Sequence, residues 1–335
     1  AGSLTRPASF CGVAGFVTAH GELPTAGITG LSPSLDTVGL LARTVSDLHF
    51  AWTALRDGTP APVLEPSAPR RLRLWSGFEL GEVSREMTKT LRTTADSAES
   101  AGIRCRELDA AATIVALTEH HHTVMAYEAA RERAAEAAQT DKISAPLAEL
   151  FAAGAATAEV DYRAALAGIR ETRQLLLSAL DEDEAILGPA ALGAAPHGHD
   201  ATGTPVLSRP WQAMGLPVVT IPGKRDTAGL PLGLQLIGRP GAEQRLFETA
   251  AWWNPHSDND RRSSGDEDRR LAILPRRSLF QLRGHLQQQI LSAGGRDELD
   301  ADGEALPAQR ERQADSGIPG HVERCRERSE LEDAA

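Results

Sequence analysis

Residues 71–108 change periodicity twice within one short stretch, and few folds accept that pattern. Arg71-Leu72-Arg73-Leu74-Trp75 alternates, which puts Leu72 and Leu74 on one face of a strand. Met87, Leu91, Ala95 and Ala98 then recur at spacings of three and four over 84–101, the stripe of an amphipathic helix. Gly102 follows where a helix C-cap glycine is expected. Residues 103–108 (IRCREL) return to alternation. Strand, helix, strand in this order predicts a βαβ unit with a right-handed crossover.

The rest of the first 253 residues continues in the same way. Thr44-Val45-Ser46-Asp47 has the form of a capping box, and Val45, Leu48, Trp52 and Leu55 follow as one apolar helical stripe. Ala-rich helices are expected over 111–138 and 159–180. Apolar runs at 184–189, 217–222 and 232–238, bounded by Pro and Gly, read as buried strands, and 242–252 reads as a closing helix. Aromatic residues are only 4%, so the core must rest mainly on Ala, Leu, Val and Ile. The expected fold class is α/β: a mixed β-sheet sandwiched by helices.

Composition changes near residue 253, where the charged run NPHSDNDRRSSGDEDRR begins. Such a segment buries too little apolar surface to offset chain entropy. Two parts follow: a folded domain over 1–252 and a charged, largely disordered tail over 253–335, with a short helix expected at Leu271–Leu291. The net charge of −11 argues against a nucleic-acid partner, which would need a basic face. No apolar run is long enough to predict a membrane span. Three cysteines, Cys11, Cys105 and Cys325, give neither a disulfide framework nor a zinc site. With no secretory signal pattern at its start, the chain is expected in the cytoplasm.

The chemistry-bearing residues are concentrated at the start, AGSLTRPASFCGVAGF. Ser3 follows Gly2, so backbone N–H groups could approach a reacting carbonyl oxygen beside a serine nucleophile. The bland alternative is an ordinary turn serine. His120-His121-His122 cannot converge on one metal ion, because adjacent helical residues point about 100° apart. These histidines are expected to be solvated or to line a pocket. His197-Gly198-His199-Asp200 reads as a surface loop. No G-x-S-x-G elbow, Walker A motif or dinucleotide fingerprint occurs.

Ordered matches give the N-terminal block more weight. Gly2, Ser3, Arg6, Pro7, Ala8, Phe10, Cys11, Gly12 and Gly15, then Ser34, Leu35, Asp36, Thr37, Gly39, Ala42, Arg43 and Thr44, resemble the second half of the amidase signature of the serine amidase family. Gly203-Thr204-Pro205, Arg209-Pro210-Trp211, Gly215-Leu216-Pro217 and Leu230–Arg239 resemble its C-terminal segment. The resemblance covers about residues 1–252 and departs at Val17, often lysine in the family, and at Glu22, often arginine.

What the resemblance implies is a Ser–Ser–Lys hydrolase of small carboxamides with no cofactor and no metal. Ser3 matches the nucleophile, and Gly2 with Ser3 is what remains of the oxyanion loop. Arg6 matches a position that recognises a substrate carboxylate in some members. Asp36 and Arg43 are expected to be framework residues, and Cys11 a small buried one. The lysine base and relay serine precede the nucleophile in such enzymes, whereas the first lysine here is Lys89. The resemblance therefore implies an N-terminally incomplete amidase, not competent as these 335 residues stand. Two alternatives stay open: a transamidase component resembling the glutamyl-tRNA amidotransferase A subunit, and a non-catalytic remnant. The expected partner is a small amide, and a homodimer is left open.

Overall fold

The computed structural model describes residues 4–58, 61–181, 183–198 and 201–253. The tail expected over 253–335 and its helix at 271–291 lie outside the described residues, apart from Trp253. Among the described residues there are seven strands: β1 (Ala14–Val17), β2 (Gly39–Ala42), β3 (Arg71–Leu74), β4 (Arg104–Glu107), β5 (Glu184–Pro189), β6 (Val218–Arg225) and β7 (Pro231–Ile237). They form one sheet in the order β2-β1-β6-β7-β5-β3-β4. β3 pairs in parallel with β4 and β5, and the other pairings are antiparallel, so the sheet is mixed as expected.

The helices are α1 (Thr5–Cys11), α2 (Val45–Asp57), α3 (Arg85–Ser100), α4 (Ala111–Glu132), α5 (Ala134–Ala137), α6 (Ala145–Ala156), α7 (Glu159–Ala179), α8 (Arg209–Ala213) and α9 (Glu243–Trp252). The strand–helix–strand reading of 71–108 holds: α3 links β3 to β4, with Leu72 opposite Cys105. The Ser84 side chain caps α3, and Gly102 takes φ +85° just past its end. Thr44 caps α2 by accepting from the Asp47 N–H at 3.1 Å. Two expectations need correction. Leu55 leaves the buried stripe of α2 and is 49% exposed. The helix expected over 111–138 ends at Glu132, where Arg133 (φ −115°, ψ 36°) interrupts it before the one-turn α5.

The sheet has an apolar core on each face. Phe16, Leu72, Leu187, Val219, Leu234 and Leu236 meet α2, α3 and α9 on one side. Val17, Ile186, Val218 and Ile237 belong to the second core, with Leu117 and Val124 of α4 and Trp211 of α8. Neighbours along one strand, Ile186 and Leu187 or Val218 and Val219, fall in opposite cores, which is the two-residue period of a strand. Burial on both faces is why β5 to β7 read as nearly continuous apolar runs.

Candidate active site

The site region begins with α1, which lies on β1, β6 and β7. A helix this short holds its place through close contact. A Cβ at Gly15 would sit 2.8 Å from the Ala8 Cβ, and one at Gly233 would sit 2.9 Å from the Ser9 Cβ. The missing side chains let Ala8 and Ser9 approach the strands. The Ser9 hydroxyl then accepts from the Gly233 N–H at 2.8 Å. Gly12, at φ +64°, ends the helix, and its N–H reaches the Ser9 carbonyl. Cys11 is exposed, not buried as expected, because it sits in the last turn with the sheet behind Ala8 and Ser9.

Beneath α1 the sheet changes character. Positions 15, 220, 233 and 235 lie between residues of the first core, so they face the other side. They are Gly15, Thr220, Gly233 and Gln235, in place of aliphatic residues. A cavity opens there, lined by Thr5, Val17, Ser208, Gln212, Leu216, Val218 and Gln235. Gln235 donates to the carbonyls of Pro189 (2.8 Å) and Leu207 (3.1 Å). Its Oε1 and the Ser208 Oγ are buried without a partner among the described residues. A buried polar atom left unpaired is unfavourable, so these two atoms set this small cavity apart from the apolar core around it.

Two helices of the second core hold the loops around this cavity. Gln212 of α8 donates to the Leu35 carbonyl at 3.2 Å and meets His121 Nε2 of α4 through its Oε1, also at 3.2 Å. That contact makes Nε2 the protonated nitrogen of His121. Burial, and secondarily the Arg209 charge, lower the pKa of His121 to about 3, so its ring is neutral. Burial also lowers the pKa of His122, again with Arg209 second. The adjacent histidines diverge as expected: His120 lies against Gly168 of α7 and His121 against α8. Among the described residues no cluster of His, Cys, Asp or Glu could hold a metal ion.

The loop before β2 is tied down at both ends. Asp36 Oδ2 accepts from the N–H groups of Leu31 (2.8 Å) and Ser32 (3.0 Å), the framework role expected of it. Glu128 of α4, absent from the sequence reading, is buried beneath the same loop. It accepts from Ser32 Oγ (2.6 Å), the Ser34 N–H (3.0 Å), Ser34 Oγ (2.5 Å) and the Tyr162 hydroxyl of α7 (2.7 Å). Burial raises the pKa of Tyr162, and its bond to Glu128 acts in the same direction. Arg43 is exposed.

Arg6 Nη1 donates to the Gly203 carbonyl at 2.9 Å, which joins α1 to the segment before α8. Gly203 takes φ +72°, and a Cβ there would meet the Phe10 ring at 3.2 Å. Arg6 is buried, its Nε has no partner, and burial lowers its pKa. Gly2 and Ser3, read as oxyanion and nucleophile residues, lie outside the described residues. So do His199 and Asp200, while His197 and Gly198 are exposed.

A family model described as Amidase matches residues 1–247. The chain belongs to the amidase family. It is 26% identical over 302 residues to the glutamyl-tRNA(Gln) amidotransferase A subunit of Synechococcus sp. (strain RCC307), covering 77% of this chain and 62% of that one. It is 29% identical over 276 residues to the 2-amino-5-chloromuconic acid deaminase of Comamonas testosteroni, covering 75% and 57%. A crystal structure of an amidase superposes with a TM-score of 0.66 at 27% identity, covering 76% of this chain and 60% of the other. The chain thus spans between 57% and 62% of the length of these amidase-family relatives.

Proposed function

We propose that the chain carries the nucleophile portion of a site that hydrolyses a small carboxamide to acid and ammonia, without a cofactor and in the cytoplasm. What supports the reading is the amidase-family match over residues 1–247, together with the buried Ser208 Oγ and Gln235 Oε1, unpaired among the described residues, at a small cavity that Thr5, two residues beyond Ser3, also lines. Ser3 Oγ attacks the amide carbonyl carbon, and the oxyanion is met by backbone N–H groups at Gly2 and Ser3. The serine proton passes through a relay serine to a lysine and on to the departing ammonia. Water then hydrolyses the ester bond to Ser3. Arg6 beside Gly203 would orient an acidic substrate. In the amidases this chain resembles, the lysine and relay serine precede the nucleophile, whereas the first lysine of these 335 residues is Lys89. Ser3→Ala should abolish ammonia release.

A second reading is favoured by the relatives named as the A subunit of glutamyl-tRNA(Gln) amidotransferase. On that reading the ammonia comes from glutamine and serves a partner protein. Glutaminase activity that rises strongly when the partner is added would favour it. Release of ammonia from simple amides without any partner would favour the hydrolase.

A further inference from the structure

Two adjacent strands carry arginine at alternate positions on one face of the sheet. Leu72 and Cys105 belong to the first core, so Arg71 and Arg73 of β3 and Arg104 and Arg106 of β4 point to the other side. The parallel register sets Arg71 beside Arg104 and Arg73 beside Arg106. Neighbouring strands lie about 4.8 Å apart, and residues two apart on a strand about 7 Å, so four guanidinium groups stem from one small rectangle. All four line one cleft, with Glu184 of β5. Further along the same face, Trp75 and Leu108 join the second core, so the arginines occupy the N-terminal ends of the two strands.

This arrangement has a cost. Arginine stays charged at any physiological pH, and like charges side by side on adjacent strands repel. Two acids relieve the repulsion from one direction: Arg71 pairs with Asp181, and Arg73 with Glu184 at 2.7 Å. Glu184 is buried and also accepts from the Asp181 N–H at 3.2 Å, which makes it a fixed structural partner. Both acids belong to β5 and the turn before it. Glu184 is in register with Arg71, one strand further from Arg104. Protection of the sheet edge accounts for charge on β4, the last strand, but not for charge on β3, which is flanked on both sides. Arg104 and Arg106 are exposed, so the cleft opens to solvent on their side. A tetrahedral oxyanion between two guanidinium forks accepts paired hydrogen bonds from each, and the registered pairs set such forks side by side.

We propose that Arg71, Arg73, Arg104 and Arg106 form a binding site for a doubly charged phosphate group, the terminal phosphate of a small phosphorylated molecule. Arg104 and Arg106 are its main contacts, and Arg71 and Arg73, held by their acids, meet it from the β3 side. Four residues on a chain of net charge −11 suit one phosphate rather than the backbone of a nucleic acid. The assignment does not depend on the amide-hydrolysing reading.

The test is calorimetric titration of the full chain at pH 8 and fixed ionic strength with phenyl phosphate, inorganic phosphate, dimethyl phosphate and acetate. The two dianions should bind saturably, and the singly charged dimethyl phosphate and acetate about tenfold or more weakly. Arg104→Gln combined with Arg106→Gln should weaken both dianions by about tenfold or more. Both side chains are exposed, so this variant should fold, which its thermal midpoint checks. Arg104→Lys combined with Arg106→Lys keeps the charge without the forks, so it should lose less, and it serves as the reading if the glutamine variant does not fold. Phosphates bound equally well by wild type and both double variants, or no better than acetate, would overturn the proposal, as would a wild type that binds none of the four. Inorganic phosphate bound to the exclusion of phenyl phosphate would overturn the phosphorylated carrier. An oligothymidylate bound more tightly per phosphate than phenyl phosphate would overturn the proposal in favour of a nucleic-acid backbone.

Discussion

His121 and Glu128 occupy positions that the buried stripe of α4 would normally give to an aliphatic residue. Ile114, Leu117, His121, Val124 and Glu128 recur at spacings of three and four, and all five are buried. The signal was in the sequence: two polar residues on an apolar stripe need partners, and here the partners are Gln212 of α8 and the loop before β2. The sheet carries a similar signal in LGLQLIG, where Gly233 and Gln235 alternate with leucines. What no spacing could supply was the partner of each residue, because Ser34 and Glu128 lie 94 residues apart. Removing the Glu128 carboxylate strips four hydrogen bonds from one buried group. Glu128→Ala should cost about 3 kcal/mol or more in urea unfolding. A cost below about 1 kcal/mol would mean that the loop before β2 is held elsewhere. His121 gives a pH dependence. Its pKa falls from 6.5 to about 3 on folding. Below pH 6.5 the unfolded chain therefore takes up a proton that the folded chain refuses. Stability should fall with pH between these values by up to about 1.4 kcal/mol per unit from this group. His121→Gln retains a donor for Gln212 and removes the titration. Its stability should vary less steeply between pH 6 and pH 4, and an unchanged slope would count against a neutral buried His121.

At the scale of elements, the site depends on how closely α1 packs. Gly233→Ala places a methyl group 2.9 Å from both Cα and Cβ of Ser9 and crowds the bond from Ser9 Oγ to the Gly233 N–H. Such overpacking costs about 1–3 kcal/mol. Thermal unfolding should register it, whereas an unchanged midpoint would mean that α1 can shift without loss. The larger elements were legible because they repeat their period: α3, α7, α9 and the apolar strands β5 to β7 stand close to where the pattern put them. Three others were not: β1 (AGFV) and β2 (GLLA) show no alternation of polar and apolar residues, and α1 has seven residues with Pro7 inside it. α6, also unread, is so rich in alanine that its faces barely differ in polarity.

For the molecule as a whole, the mixed sheet between helices and the match over residues 1–247 agree on the amidase family. The two ends of the sheet differ. β4 presents Arg104, Arg106 and Glu107 to solvent, charged side chains that discourage pairing with another strand, while β2 presents Leu41, 53% exposed. Among the described residues no helix is long and apolar enough to cross a membrane. Fold and family were legible in the opening block and in the segments after Gly203. The proposed hydrolysis turns on Ser3. The direct measurement is intact-mass and peptide mass spectrometry of the protein, quenched with acid during turnover of succinamate. A succinyl adduct on the peptide that contains Ser3, absent in Ser3→Ala together with ammonia release, is the predicted result. An adduct on another residue, or ammonia release that survives Ser3→Ala, would contradict it.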